Sequence, residues 1–169
     1  AHTTWFFETV LLMPHAPGYE PFDRRFQYLF NSYYEALGPR HPRPQRGLLT
    51  RPAVSEVHAY REHVDAAVHK LLTQQQYAND EPRWREIESI VTLGIHHEQQ
   101  HQELLLTDIL HAFSCNPLLP AYDPSPAPAL RLAAQPSPPQ WIEMHGGVVQ
   151  IGHEASVGFS FDNETPRHA

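Results

Sequence analysis

The sequence predicts a mainly α-helical chain: a helical bundle over residues 1–116, a proline-rich linker over 117–139, and the opening of a β-containing domain over 140–169. Three observations predict it. Apolar residues recur at intervals of three and four through most of the first part. Eight of the 23 residues from Pro117 to Pro139 are proline, a density that neither a helix nor a strand ladder tolerates. Beyond them the pattern shortens to Trp141-Ile142-Glu143-Met144, Gly146-Gly147, Val148-Val149-Gln150-Ile151 and Phe159-Ser160-Phe161, which reads as short strands and turns.

Taken in order, Thr4 to Met13 is an aromatic-rich amphipathic helix, with Thr3 or Thr4 as N-cap and Pro14 closing it. Phe22 to Leu37 continues with Phe26, Leu29, Phe30, Tyr33, Tyr34 and Leu37 at helical offsets and stops at Gly38-Pro39. The stretch from Arg40 to Pro52 is basic and irregular. Ser55-Glu56 open a clear helix whose stripe is Val57, Tyr60, Val64, Val68 and Leu71-Leu72. Asn79-Asp80-Glu81-Pro82 breaks the chain and leads into a long helix from Arg83 to Phe113. Its inward stripe is Ile87, Ile90, Val91, Gly94, Leu104, Leu105, Asp108 and Ala112.

Composition narrows the function classes. Nineteen acidic and twelve basic residues give a net charge of −7 with no basic block, so the electrostatic footprint of a nucleic-acid binder is missing. No apolar run reaches the ~20 residues of a membrane helix. Cys115 is the single cysteine, which excludes an internal disulfide and fits a reducing, cytoplasmic setting. It carries no local nucleophile signature and reads as a small hydrophobe at a helix end. Small-molecule chemistry is the expectation.

The long helix holds His97-Glu98-Gln99-Gln100-His101. Imidazoles four residues apart stand on one helical face, roughly 6 Å apart along the axis, and one metal ion can take both. Both fall on the inward stripe, as in bundles that hold metals between facing helices. The string also matches the HExxH zinc-protease signature, in which Glu98 would activate a metal-bound water. Two buried, hydrogen-bonded histidines are the plainer alternative. A third ligand is not evident from spacing, and His96 projects about 100° away as a flank.

Three separated segments resemble the ergothioneine-biosynthesis sulfoxide synthases, also called hercynine oxygenases. They are Ala1-His2-Thr3-Thr4-Trp5-Phe6-Phe7-Glu8; Phe30-Asn31-Ser32-Tyr33-Tyr34-Glu35 with Arg46-Gly47-Leu48-Leu49-Thr50-Arg51-Pro52; and His97 through Leu104. The tail, Gly146-Gly147 through Phe161-Asp162-Asn163-Glu164-Thr165-Pro166-Arg167-His168, is similar to the start of a formylglycine-generating-enzyme-like domain. The resemblance covers almost the whole chain, and the order of motifs is more specific than any one of them. It implies a DinB-like four-helix bundle joined to a C-type-lectin-like domain, with non-haem iron, Fe(II), at their junction.

By the same resemblance the iron ligands are His2, His97 and His101, and Glu98 becomes a neighbour of the ligands instead of a zincin base. The implied reaction joins hercynine to cysteine or γ-glutamylcysteine through a new carbon–sulfur bond, with O2 as oxidant. Trp5, Phe6 or Tyr33 are candidates to face the trimethylammonium of hercynine, although bundle core is the commoner role for each. Arg46, with Arg51 beside it, is the candidate partner for a substrate carboxylate. His15, His41, His58, His63, His69, His111, His145, His153 and His168 lack ligand spacing and read as surface or capping residues.

The chain opens without Met and closes in mid-motif, so both ends are expected to be cut. The resemblance puts one bundle helix before Ala1 and the family's catalytic tyrosine beyond Ala169, so little turnover is expected of this chain alone. Two competing classes stay open: a zinc hydrolase, in which Glu98 is essential and His2 dispensable, and a DinB-like metal-dependent thiol-transfer or binding module, which needs no oxygen.

Overall fold

The computed structural model describes residues 1–32, 34–73, 77, 79–125, 138–154 and 156–169, and among these the chain is mainly helical. Packing divides it into two units, Ala1–Gln102 and Glu103–Ala169.

The first unit opens with α1 (His2–Phe6), a π-helical stretch Phe7–Leu12, and α2 (Met13–His15). The helix therefore begins at His2, with Ala1 as N-cap and Thr3 and Thr4 inside it, and it passes through Pro14. The π-helical register just before Pro14 shifts the backbone pairing that a proline would otherwise break, one of the few settings where a helix absorbs it. This run buries Trp5, Phe6, Glu8, Leu11 and Leu12.

After it, α3 covers only Arg24–Leu29, capped by the Asp23 carboxylate accepting from Arg25 N–H at 2.9 Å. The expected continuation to Leu37 is absent because side chains claim the backbone instead. Asn31, buried, donates to the carbonyls of Tyr34 (2.9 Å) and Gly38 (3.1 Å) and accepts from Tyr34 N–H (3.0 Å). Tyr33 lies outside the described residues. One 3₁₀ turn, Glu35–Leu37, precedes Gly38, and another, Arg43–Leu48, occupies the basic stretch.

The two long helices are α4 (Val54–Thr73) and α5 (Glu81–Cys115). Asp80 starts α5, its carboxylate accepting from Arg83 N–H at 3.2 Å. The core joins Leu11 and Leu12, Phe26 of α3, Tyr60, Val64 and Leu71 of α4, and Ile87 of α5. Gly94 lets the end of α1 and the π-helical stretch approach α5: a Cβ there would stand 2.5 Å from the Phe7 ring and 3.0 Å from the Phe6 ring. The inward stripe of α5 is buried at Ile87, Gly94 and His97 but not along its whole length, since Leu104 and Leu105 are exposed, the latter at 62%.

One histidine departs from its surface reading. His15 is buried at the end of α2, where its carbonyl accepts from Tyr77 Oη at 2.8 Å, and desolvation followed by the nearby Arg83 charge pushes its ring below the ordinary histidine range.

In the second unit, α5 ends with exposed Cys115, and no strand forms among the described residues. In place of the expected short strands there is one antiparallel bridge, Ile151 with His168, and a 3₁₀ turn, Asp162–Glu164. Gly152, at φ +102°, lies so close to the Pro166 carbonyl and Arg167 that a Cβ would be crowded at 3.0–3.1 Å. Most of the linker, 126–137, lies outside the described residues. No described helix is long and apolar enough to cross a membrane.

Candidate metal centre

Helix α5 presents His97 and His101 one turn apart, and the first residue of α1 lays His2 against them. Each of the three rings offers a nitrogen, and these nitrogens all lie within 4.8 Å of one another. The His2 ring sits 5.1 Å from His97 and 5.0 Å from His101, centre to centre, both edge-on. His97 Nε2 and His101 Nε2 are 3.0 Å apart. That contact is a hydrogen bond in which one ring donates its N–H to the other.

The surroundings set which atoms are available. His2 Nδ1 donates to the Phe30 carbonyl at 2.8 Å, which leaves Nε2 as the lone-pair nitrogen, the arrangement metal-binding imidazoles commonly use. His97, 7% exposed, has a buried Nδ1 with no hydrogen-bond partner among the described residues. Desolvation and then the neighbouring His2 and His101 charges push His97 down to about 4. Desolvation also lowers His2, against the opposing effect of the Phe30 carbonyl. Both rings are thus neutral at pH 7, the form that ligates a metal.

Aromatic side chains back the cluster. Trp5 stacks on His2 at 5.6 Å and donates Nε1–H to the Gln27 carbonyl at 2.9 Å, tying α1 to α3. Phe6 meets His97 at 5.2 Å. Both are fully buried, so they wall the site from behind. Tyr34, half-buried, packs on Trp5 at 5.6 Å and lies 6.5 Å from both His2 and His97.

Glu98 turns away toward α4. Its carboxylate accepts from Arg61 Nη1 at 3.2 Å, and Arg61 also donates to Asp65 at 2.9 Å. Burial alone would raise Glu98, but hydrogen bonding from Thr3 and the Arg61 charge outweigh it and hold the carboxyl below its usual range. Arg46 reaches the site's rim, donating Nη2–H to the carbonyls of Ser32 (3.2 Å) and His41 (3.5 Å). Cys115 lies beside His111 at 3.8 Å, at the far end of α5 and outside the cluster.

Sequence reasoning assigned no role to three groups here: the Phe30 carbonyl, Ser32 and Arg61. The first is backbone and has no sequence signal. Arg61 and Asp65 are an i,i+4 pair on α4, a visible pattern, but their link to Glu98 emerges only when α4 meets α5. No protein-family model matches the chain, and no curated protein matches it.

Proposed function

We propose that His2, His97 and His101 hold one metal ion, that the ion is Fe(II), and that the centre serves an O2-dependent sulfoxide synthase joining hercynine to cysteine or γ-glutamylcysteine. The observation that carries the reading is the convergence of His2, from the other end of the first unit, on the HxxxH pair of α5. Local helical spacing brings two imidazoles together, but only tertiary structure brings the third.

Fe(II) at this triad would supply oxygen activation and a coordination position that favours thiolate over thiol. The overall change balances: the imidazole C–H and the thiol S–H are lost, a C–S bond and one S–O bond form, and O2 is fully reduced, one oxygen leaving as water. The chain's own residues bind and orient. The Phe30 carbonyl fixes the His2 tautomer; Trp5 and Phe6 exclude water behind the ligands; Arg46 offers a cation at the rim for a substrate carboxylate. Tyr34 is the described aromatic with exposed surface beside the triad, and it is the candidate to meet the trimethylammonium.

The zinc-hydrolase reading needs Glu98 as a general base poised near neutrality. Glu98 is instead bound by Thr3 and Arg61 and held acidic, which favours the oxygenase reading over it. The test has two parts. Metal uptake is read on this chain by titration with Fe(II) under anaerobic conditions, with His2→Ala beside it. Turnover is read by mass spectrometry on a protein carrying a complete formylglycine-generating-enzyme-like domain, given hercynine, O2 and each thiol separately. A sulfoxide conjugate dependent on iron, O2 and His2 supports the reading. A folded, iron-loaded protein that makes no conjugate with either thiol refutes it.

A further inference from the structure

This inference rests on the metal reading above and concerns a residue that reading does not use. Ser32 follows α3 in the loop that crosses the triad. Its hydroxyl oxygen lies 3.1 Å from His2 Nε2 and 3.2 Å from His2 Nδ1. Near-equal distances to both ring nitrogens place the oxygen off the ring plane, because an in-plane atom at those distances would collide with the carbon that joins them. The oxygen therefore stands beside the direction in which Nε2 meets an ion, not on it. Relative to an ion ~2.1 Å from Nε2, it would be roughly 4 Å away. That is too far to ligate, and it suits a hydrogen bond to an atom that is itself bound to the ion.

The backbone that carries the hydroxyl is anchored by its neighbours. Asn31, buried, ties its own side chain to Tyr34 and Gly38 on one side of Ser32. On the other side the Phe30 carbonyl holds His2, and Arg46 donates to the Ser32 carbonyl. A donor held in place by its own supports loses little entropy on meeting a ligand. We propose that Ser32 is a ligand-positioning residue: its hydroxyl donates a hydrogen bond to an anionic atom, such as a thiolate or a small anion, seated on the metal next to His2.

Cobalt(II) as the metal and azide as the anion test this through visible absorption of the cobalt centre. Wild type, Ser32→Ala and Ser32→Thr are expected to bind cobalt within about threefold of one another. Azide is expected to bind about tenfold more weakly to cobalt-loaded Ser32→Ala, the loss of one hydrogen bond to a charged acceptor, and to regain most of that in Ser32→Thr. Equal azide affinity in wild type and Ser32→Ala overturns the proposal. So does a cobalt affinity that falls in step with azide in Ser32→Ala, since the hydroxyl would then serve His2 and not the anion. A wild-type chain that takes up no cobalt overturns the metal reading itself, and this inference with it.

Discussion

Acidifying the metal-free chain from pH 7 to pH 5 is expected to destabilise the first unit through His97. In the folded state this ring is pushed down to about 4, against an ordinary value of 6.5 when unfolded. Between those values the unfolded chain carries a proton that the folded chain lacks, so acid favours unfolding. The stability is fully present above pH 6.5, declines as pH falls toward 4, and levels off below it. At 1.36 kcal/mol per unit, the loss is about 2 kcal/mol at pH 5 and about 3 kcal/mol at pH 4. Urea unfolding followed by circular dichroism, run on wild type and His97→Gln, isolates it. Glutamine keeps a polar group in place and removes the titration, so wild type should lose about 2 kcal/mol more than the variant between pH 7 and pH 5. His2 is lowered too, but it titrates in both chains and cancels. Saturating cobalt at a hundredfold over its Kd should add about 2.7 kcal/mol at pH 7 and progressively less as protons compete for the ligands. Parallel pH profiles for wild type and His97→Gln would refute the reasoning.

Five further substitutions test the core, the helix packing and the site. Tyr60→Phe removes the 2.8 Å donor to Glu8 Oε2, whereas Tyr19→Phe leaves Oε1 with the Phe22 N–H at 3.0 Å; urea melts should show about 2 kcal/mol lost in the first and about 1 kcal/mol in the second. Gly94→Ala sets a methyl 2.5 Å from the Phe7 ring, so the overpacking cost should exceed the ~1 kcal/mol gain in helix propensity, and net stabilisation in the same melts would contradict the close packing of α1 on α5. Glu98→Gln should leave cobalt binding little changed, since the carboxylate faces Arg61 and Thr3 and not the ligand rings, while His2→Ala abolishes it at the same cobalt concentrations; full retention of cobalt by His2→Ala in the titration would restore the zinc-hydrolase reading, in which His2 is dispensable.

The helices were legible where periodicity and burial agree. Tyr60, Val64 and Leu71 form the buried stripe of α4 as their spacing predicts, and His97 faces inward on α5. The missed boundaries share a cause: local pattern lost to side-chain chemistry acting on the backbone. Phe26, Leu29 and Phe30 continue a helical period, but Asn31 captures the groups that would have extended the helix, and the freed Phe30 carbonyl goes to His2. Pro14 looked terminal because a straight α-helix excludes it, whereas a π-helical stretch does not. Beyond His101 the predicted inward face of α5 is exposed at Leu105; periodicity reports an apolar face, not what covers it. The HxxxH pair is visible in the string itself. His2 as its partner came only through resemblance, because a contact between residues 2 and 97 leaves no trace in local sequence.

The pairing of α1 with α5 joins residues separated by nearly the whole length of the first unit, and this bears on the kinetics of folding. A contact of such long range is costly to form early, since most of the chain must be ordered before its ends meet. An ion taken up by His2, His97 and His101 would engage after the rate-limiting step has passed. It would leave the folding arm of a chevron almost unmoved and slow the unfolding arm, acting as a clasp on the finished fold. The centre would then be a timer as well as a site: Trp5 and Phe6 hold α1 in the core by burial alone, and the ion would lengthen the time that α1 stays against α5.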